Sequence, residues 1–221
     1  MTLWVGPRCA RVSEHRLLRP FTHPTGFSGR IAGALLLRVN ARIYRAAVDL
    51  LAPGPGERVL EVGFGPGYGI ERLVARAARV SGLDPSDVMR AAAERRNRAA
   101  IQRGTVELRT GSADRMPWPD GQFDAALTLN SILLWEPFAP SVRELARVLR
   151  PDGRLVVGMH PLALRGQSPP GHGSEAEVAR RLTQALGAAG FDRISPAPPS
   201  PNGARGLLMT ARRPAPPVPG R

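Results

Sequence analysis

The chain has 221 residues, a formal net charge of +13 and a single cysteine, Cys9. That length is enough for one well-buried domain with an appendage. One thiol excludes an internal disulfide framework and a cysteine-based metal cluster, and it points to a reducing, cytoplasmic setting for an inert Cys9. All of its basic residues are arginine and none is lysine. A nucleic-acid surface would explain the positive charge but not the exclusion of lysine, which contacts phosphate well. Codon bias in a GC-rich genome explains it better.

Residues 1–26 read as irregular, interrupted by Gly6-Pro7, Arg19-Pro20 and His23-Pro24. Met1–Pro20 has no continuous apolar core, so no secretory leader is expected. Ile31–Leu37 falls far short of the roughly 20 residues that span a bilayer, so no membrane span is expected. Helical spacing of Ile31, Leu35, Val39 and then Ile43, Ala47, Leu50 predicts helices over Ser28–Val39 and Asn40–Leu51. Pro53 and Pro55 with their glycines end the second. Residues 1–56 thus form an N-terminal arm and helical lid, too small for a confident core of their own.

From Glu57 strands alternate with helices. The pattern predicts strand Arg58–Val62, helix Tyr68–Ala78, strand Val80–Leu83, helix Ser86–Gln102, strand Val106–Thr110, strand Phe123–Leu129 and helix Phe138–Leu149. A Pro151-Asp152-Gly153 turn then leads to strand Arg154–Met159. Helix Ser174–Ala189 starts on a capping box, Ser174 with Glu177, and stops at Gly190. Strands Phe191–Ser195 and Gly206–Ala211 close a domain over residues 57–213, and 214–221 read as a disordered tail. This alternation argues an α/β fold, a Rossmann-like doubly wound parallel sheet.

In such a sheet a ligand lies across the carboxyl ends of the strands where strand order reverses. The apolar run Val59–Val62 breaks there into Gly63-Phe64-Gly65-Pro66-Gly67-Tyr68-Gly69. Glycines in such a turn let a ligand approach bare backbone amides near a helix N-terminus. Asp84 lies 21 residues after Gly63, where a carboxylate accepts from ribose hydroxyls. Gly111–Asp114 is placed to flank a purine. A nicotinamide dinucleotide would use the same geometry, but its fingerprint wants glycine or alanine at position 68. Tyr68 would crowd a pyrophosphate, so the turn suits an amino-acid moiety better.

The runs VLEVGFGPGYG at 59–69, LDPS at 83–86, GSADRMPWPDGQFDAAL at 111–127 and LARVLRPDGRL at 145–155 resemble the class I S-adenosylmethionine-dependent methyltransferases. They are most similar to the group that includes the ubiquinone and menaquinone biosynthesis enzymes. The resemblance covers roughly Glu57–Met159. It implies a seven-stranded sheet with an antiparallel last strand. It also implies S-adenosyl-L-methionine as cofactor, with S-adenosyl-L-homocysteine as product. Carried over, Glu61 and the backbone of Gly63 and Gly65, with Phe64 and Gly67 in the same turn, would hold the methionine part. Asp84 would bind the ribose, with Pro85 and Ser86 beside it. Ser112 and Ala113 would border the adenine, and Asn130 would face the methionine part and the acceptor. The family usually has an acidic residue where Ser112 stands, a role open to Asp114.

Methyl transfer from a sulfonium is an in-line displacement with a neutral leaving group, so it needs positioning and desolvation rather than a metal or covalent nucleophile. The motifs therefore name the donor and leave the acceptor open, whether O, N or C. Acceptor-side candidates are Asn130, Ser131, Trp135, Glu136, Tyr44, His23 and His160. His160, at the carboxyl end of a strand, reads either as a general base or as a loop histidine. Trp135, Tyr44 and His23 read first as packing residues. A small-molecule acceptor is the preferred reading. Asn130-Ser131-Ile132-Leu133 lacks the Pro-Pro-aromatic pattern of exocyclic-amine nucleic-acid enzymes. The alternatives are a nucleic-acid or protein methyltransferase using the arginine-rich surface, and a cofactor-binding protein without transfer. The loop Pro161–Gly173 and the arm are the evident lid material.

Overall fold

The computed structural model describes residues 41–76, 79–161, 174–198, 200 and 203–215. The irregular segment 1–26, the helix Ser28–Val39, Cys9, His23, nearly all of the 161–173 loop and most of the tail lie outside them. The elements are helix α1 at residues 41–51, β1 Arg58–Val62, α2 Tyr68–Val74, β2 Arg79–Asp84, α3 Asp87–Arg96, α4 Arg98–Gln102, β3 Val106–Thr110, β4 Phe123–Leu129, α5 Phe138–Val148, β5 Leu149–Met159, α6 Glu175–Ala188, β6 Asp192–Pro196 and β7 Leu207–Arg212.

The seven strands form one sheet in the order β3-β2-β1-β4-β5-β7-β6. Pairs are parallel from β3 through β5, and β7 runs antiparallel to both β5 and β6. The order reverses between β1 and β4. Strand β1 explains why it sits in the centre: its last four residues are all buried, as both neighbours and both faces demand. Leu60 and Val62 enter one core cluster, with Phe123, Leu145 and Leu155. Val59 enters the other, with Phe64, Ile70 and Leu73.

Helix α1 belongs to that second cluster. Ile43, Ala47, Val48 and Leu51 are almost fully buried with Val59, Phe64, Ile70 and Leu73. The Arg154 guanidinium on β5 fastens its end, donating to Leu51 O at 3.1 Å and to the Glu57 carboxylate at 2.6 and 3.0 Å. Periodicity identifies this helix's apolar face, and residues of β1 and α2 cover it.

Two further elements differ from the sequence expectation. The helix expected over Ser86–Gln102 is broken at Asn97, whose φ is −104° and ψ is 17°. Its side-chain amide donates to Gly67 O and Ala93 O, both at 3.0 Å, and ties the glycine turn to the break. Strand β5 begins at Leu149 rather than Arg154, because Leu149 pairs with Phe123 and the register shifts before Ala125 meets Arg154. The Pro151-Asp152-Gly153 turn is thereby absorbed into the strand. Asp152 N–H donates to Arg213 O, and Arg213 N–H donates to Gly153 O. No helix of the described residues is long and apolar enough to cross a membrane.

Candidate active site

The carboxyl ends of β1 and β2 carry the glycine turn and Asp84. Gly63 has φ +75°, and a Cβ there would overlap the Ser131 side chain. Ser131 lies after β4, donates to Val62 O at 2.9 Å and shares a 2.7 Å hydrogen bond with Thr128. The turn is therefore clasped from the β4 side. Beyond it, no atom of the described residues lies within 4 Å of a Cβ built on Gly65. Phe64 is fully buried, so its ring packs in the core and only its backbone borders the turn.

Glu61 points from β1 toward the start of α2. A Cβ on Gly69 would overlap its carboxylate, so glycine there makes room for the acid. The residue is 0% exposed, and among the described residues neither carboxylate oxygen has a hydrogen-bond partner. Burial first, and then the charge of Asp84, hold its pKa well above the usual carboxylate range. Asp84 is 6% exposed. It accepts from Gly65 N–H at 2.8 Å and from Ser86 N–H at 3.0 Å. Burial raises its pKa, and those two donors pull against the rise. Pro85 beside it is exposed. Ser86 caps α3 by accepting from Met89 N–H.

The segment after β3 places Ser112 exposed and Ala113 buried. The Ser112 hydroxyl donates to the Asp114 carboxylate, so the two candidates for an adenine contact form one pair. Arg147 on α5 holds the rest of this segment. Its guanidinium donates to Met116 O at 3.0 Å, Trp118 O at 2.8 Å, the Asp120 carboxylate at 2.8 Å and both Glu144 oxygens. Glu144 in turn accepts from Met116 N–H at 2.9 Å.

On the acceptor side, Asn130 and His160 are brought together. Asn130 follows β4 with φ +58°, and its side-chain oxygen accepts from His160 N–H at 2.7 Å. His160 is half-buried, and burial lowers its pKa. Trp135 is buried in the core, as a packing residue should be. Glu136 is exposed, and Leu134 is 60% exposed. Tyr44 is buried on α1. Among the described residues no group of three metal-ligating side chains could hold an ion.

Residues 60–157 match a family model described as a methyltransferase domain. Over 174 residues, the chain is 28% identical to the uncharacterized methyltransferase YdaC of Bacillus subtilis, covering 74% of this chain and 87% of that one. The central part of the chain is thus a methyltransferase domain. Demethylmenaquinone methyltransferase of Beutenbergia cavernae is 36% identical over 51% of this chain and 45% of its own length. A fatty-acid O-methyltransferase of Mycolicibacterium smegmatis is 42% identical over 53% and 42%. This methyltransferase thus spans less than half of those two relatives. Its fold is also that of a solved S-adenosylmethionine-dependent methyltransferase of Aquifex aeolicus, with a TM-score of 0.65 at 18% identity over 80% and 93% of the two chains.

The residues present fit the family's cofactor. A buried acid with two unpartnered oxygens is costly unless a ligand supplies a positive or donating group, and Glu61 is such an acid at the end of the central strand. Three features of this methyltransferase's site were not singled out by the sequence: Gly69 as the wall of Glu61, Ser131 as the clasp on Gly63, and Arg147 as the anchor of the segment after β3. Gly69 carried a signal, since it is the fourth glycine of the run. The other two depend on contacts across 69 and 31 positions of chain and have no local signature.

Proposed function

We propose that this methyltransferase acts in the cytoplasm on a small-molecule acceptor, at an O, N or C atom. The carrying observation is Glu61, enclosed at the switch point with no partner for either oxygen. In this reading Glu61 balances the positive charge of the donor's amino-acid end, beside the backbone of Gly63, Phe64, Gly65 and Gly67. Asp84 exchanges its main-chain donors for ribose hydroxyls, next to Pro85. Ser112, paired to Asp114, and Ala113 border the adenine. S-adenosylmethionine supplies, when bound, a methyl group already activated on a sulfonium.

What remains for the protein is to place an acceptor and take its proton. Asn130 holds the backbone of His160, directly after β5, by accepting from its N–H. His160 is the group able to hold the acceptor's proton, and its lowered pKa keeps the imidazole neutral near pH 7, the state a base requires. Exposed Leu134 lies just beyond Ser131 on the acceptor side, which suits an apolar acceptor. Two relatives are named for a fatty acid and for demethylmenaquinone. Nucleic acid is the weaker reading: residues 130–133 lack the Pro-Pro-aromatic pattern, and four arginines are paired with carboxylates, Arg96 with Glu71, Arg150 with Asp124, Arg154 with Glu57 and Arg180 with Glu177. Such pairs neutralise the charge that phosphate would need.

Calorimetry with S-adenosylhomocysteine tests the donor half, with micromolar binding expected. Absence of heat with folded protein would sink it. Methyl transfer from labelled donor to a panel of fatty acids, quinols and oligonucleotides tests the acceptor half. Labelling confined to oligonucleotides would reverse the assignment.

A further inference from the structure

Three glycines hold positive φ in the turn after β1: +75° at Gly63, +52° at Gly65 and +81° at Gly67. Glycine loses more conformational freedom on folding than any other residue, so such a turn keeps one shape only where its neighbours hold it. Ser131 and Asp84 hold its first half through Val62 O and Gly65 N–H. Its second half is held by two consecutive residues at the break between α3 and α4. Arg96 Nε–H donates to Pro66 O at 3.1 Å, and another arm of the guanidinium donates to the Glu71 carboxylate on α2 at 3.1 Å. The Asn97 side-chain amide donates to Gly67 O at 3.0 Å. The approach is close: a Cβ on Gly67 would lie 2.7 Å from both the Ala93 Cβ and the Asn97 amide nitrogen.

Backbone satisfaction does not explain this buried amide. Asn97 is 5% exposed, and burying an amide is costly unless it is hydrogen-bonded. Yet the two carbonyls it reaches, Gly67 O and Ala93 O, are already accepting. Gly67 O accepts from Glu71 N–H at 3.2 Å, and Ala93 O from Asn97 N–H at 2.9 Å. A leucine of similar size would leave neither carbonyl without a partner, and it would suit a continuous helix better than asparagine does. What the amide adds is a fixed position of the turn against α3. That position matters most once a donor is bound. Asp84 then gives up Gly65 N–H for the ribose, and of the described side chains Arg96 and Asn97 are left holding the turn beyond Gly65.

We propose that Asn97, with Arg96 beside it, is a positioning residue: without touching the donor, it fixes the glycine turn in the shape that receives the donor's amino-acid end. This rests on the donor assignment under Proposed function, and the experiment separates the two. The full-length chain is titrated with two probes, S-adenosylhomocysteine and 5′-methylthioadenosine, which lacks the amino-acid end. Asn97→Leu should weaken S-adenosylhomocysteine about 10-fold and Arg96→Ala about 3-fold, the loss expected when a preorganised site is loosened. Both variants should leave methylthioadenosine unchanged, and in both the amide hydrogens of Gly65 and Gly67 should exchange faster. Glu71→Gln, which spares the contact of Arg96 with Pro66 O, should bind both probes as the unaltered protein does. Unchanged affinity of Asn97→Leu for S-adenosylhomocysteine, or equal loss of both probes, would overturn the role. If Asn97→Leu does not fold, Arg96→Ala, at an exposed position, decides on the same terms. Failure of the unaltered protein to bind S-adenosylhomocysteine would instead overturn the donor assignment, and this inference with it.

Discussion

The loops after β1 and β2 and the loops after β4 and β5 meet at one end of the sheet, yet they are built differently. The first pair is constrained almost atom by atom. Gly63 and Gly69 admit no side chain, Glu61 is walled in, and Asp84 holds the turn through Gly65 N–H. Among the described residues the second pair is tied by His160 N–H donating to the Asn130 side chain and by Asn130 N–H donating to Gly158 O, and it leaves Leu134 in the open. A shared cofactor demands the same backbone from every chain that binds it. An acceptor demands only a cavity of suitable shape, which many sequences can line.

The largest effect that could break this contrast is at Gly69. Gly69→Ala should cost at least about 3 kcal/mol, the upper end of overpacking in a filled core, because the new methyl overlaps a carboxylate that cannot move into solvent. Urea unfolding measures it, and a loss below 1 kcal/mol would mean that the donor side is looser than described. On the acceptor side, His160→Gln should lower turnover about 100-fold with S-adenosylhomocysteine affinity unchanged. A drop in affinity instead would assign His160 to the donor. Asp84→Ala should weaken that affinity by about 1–3 kcal/mol, since it removes both the acceptor for the ligand and the anchor of Gly65.

The smallest effect is on the pH dependence of the ligand-free protein. The folded pKa of Glu61 is raised above 4.5, so its contribution to stability is complete below pH 4.5 and is lost as pH rises through the folded value. Asp84 has the same sign, starting from 3.8. Glu57 and Glu144 are held low by hydrogen bonds from Arg154 and Arg147, and their contribution is lost as pH falls below 4.5. The thermal midpoint should therefore decline on the alkaline side of 4.5, and Glu61→Gln should flatten that decline. A slope identical in the variant would contradict the enclosure of Glu61.

The same contrast governs what the sequence could reveal. Strands β3 and β4 match their predicted limits, because β-branched ends mark β3 and the turn-rich segment before it marks β4. The glycine turn was legible for a related reason: backbone at positive φ, as at Gly63, Gly65 and Gly67, forces a residue type that stands out. The break at Asn97 was not legible, since asparagine is common in helices and its contact to Gly67 O spans 30 positions. The true start of β5 was hidden because Arg213, far along the chain, pairs with the turn. Tyr44 was read as packing, which its burial supports.

Arg147 also bears on a property of the whole chain. Whatever mutational pressure removed lysine elsewhere, this position could not have tolerated it. A guanidinium offers five N–H donors in a rigid fork, and an ammonium only three on a swivelling stem. Here each of the five donors makes a hydrogen bond, two of them to carbonyls of the same segment. An exchange that is neutral at most surface sites would strand at least two acceptors here and untether the stretch that leads from Ser112 into β4. At this one position, the composition of the chain and the geometry of its site coincide.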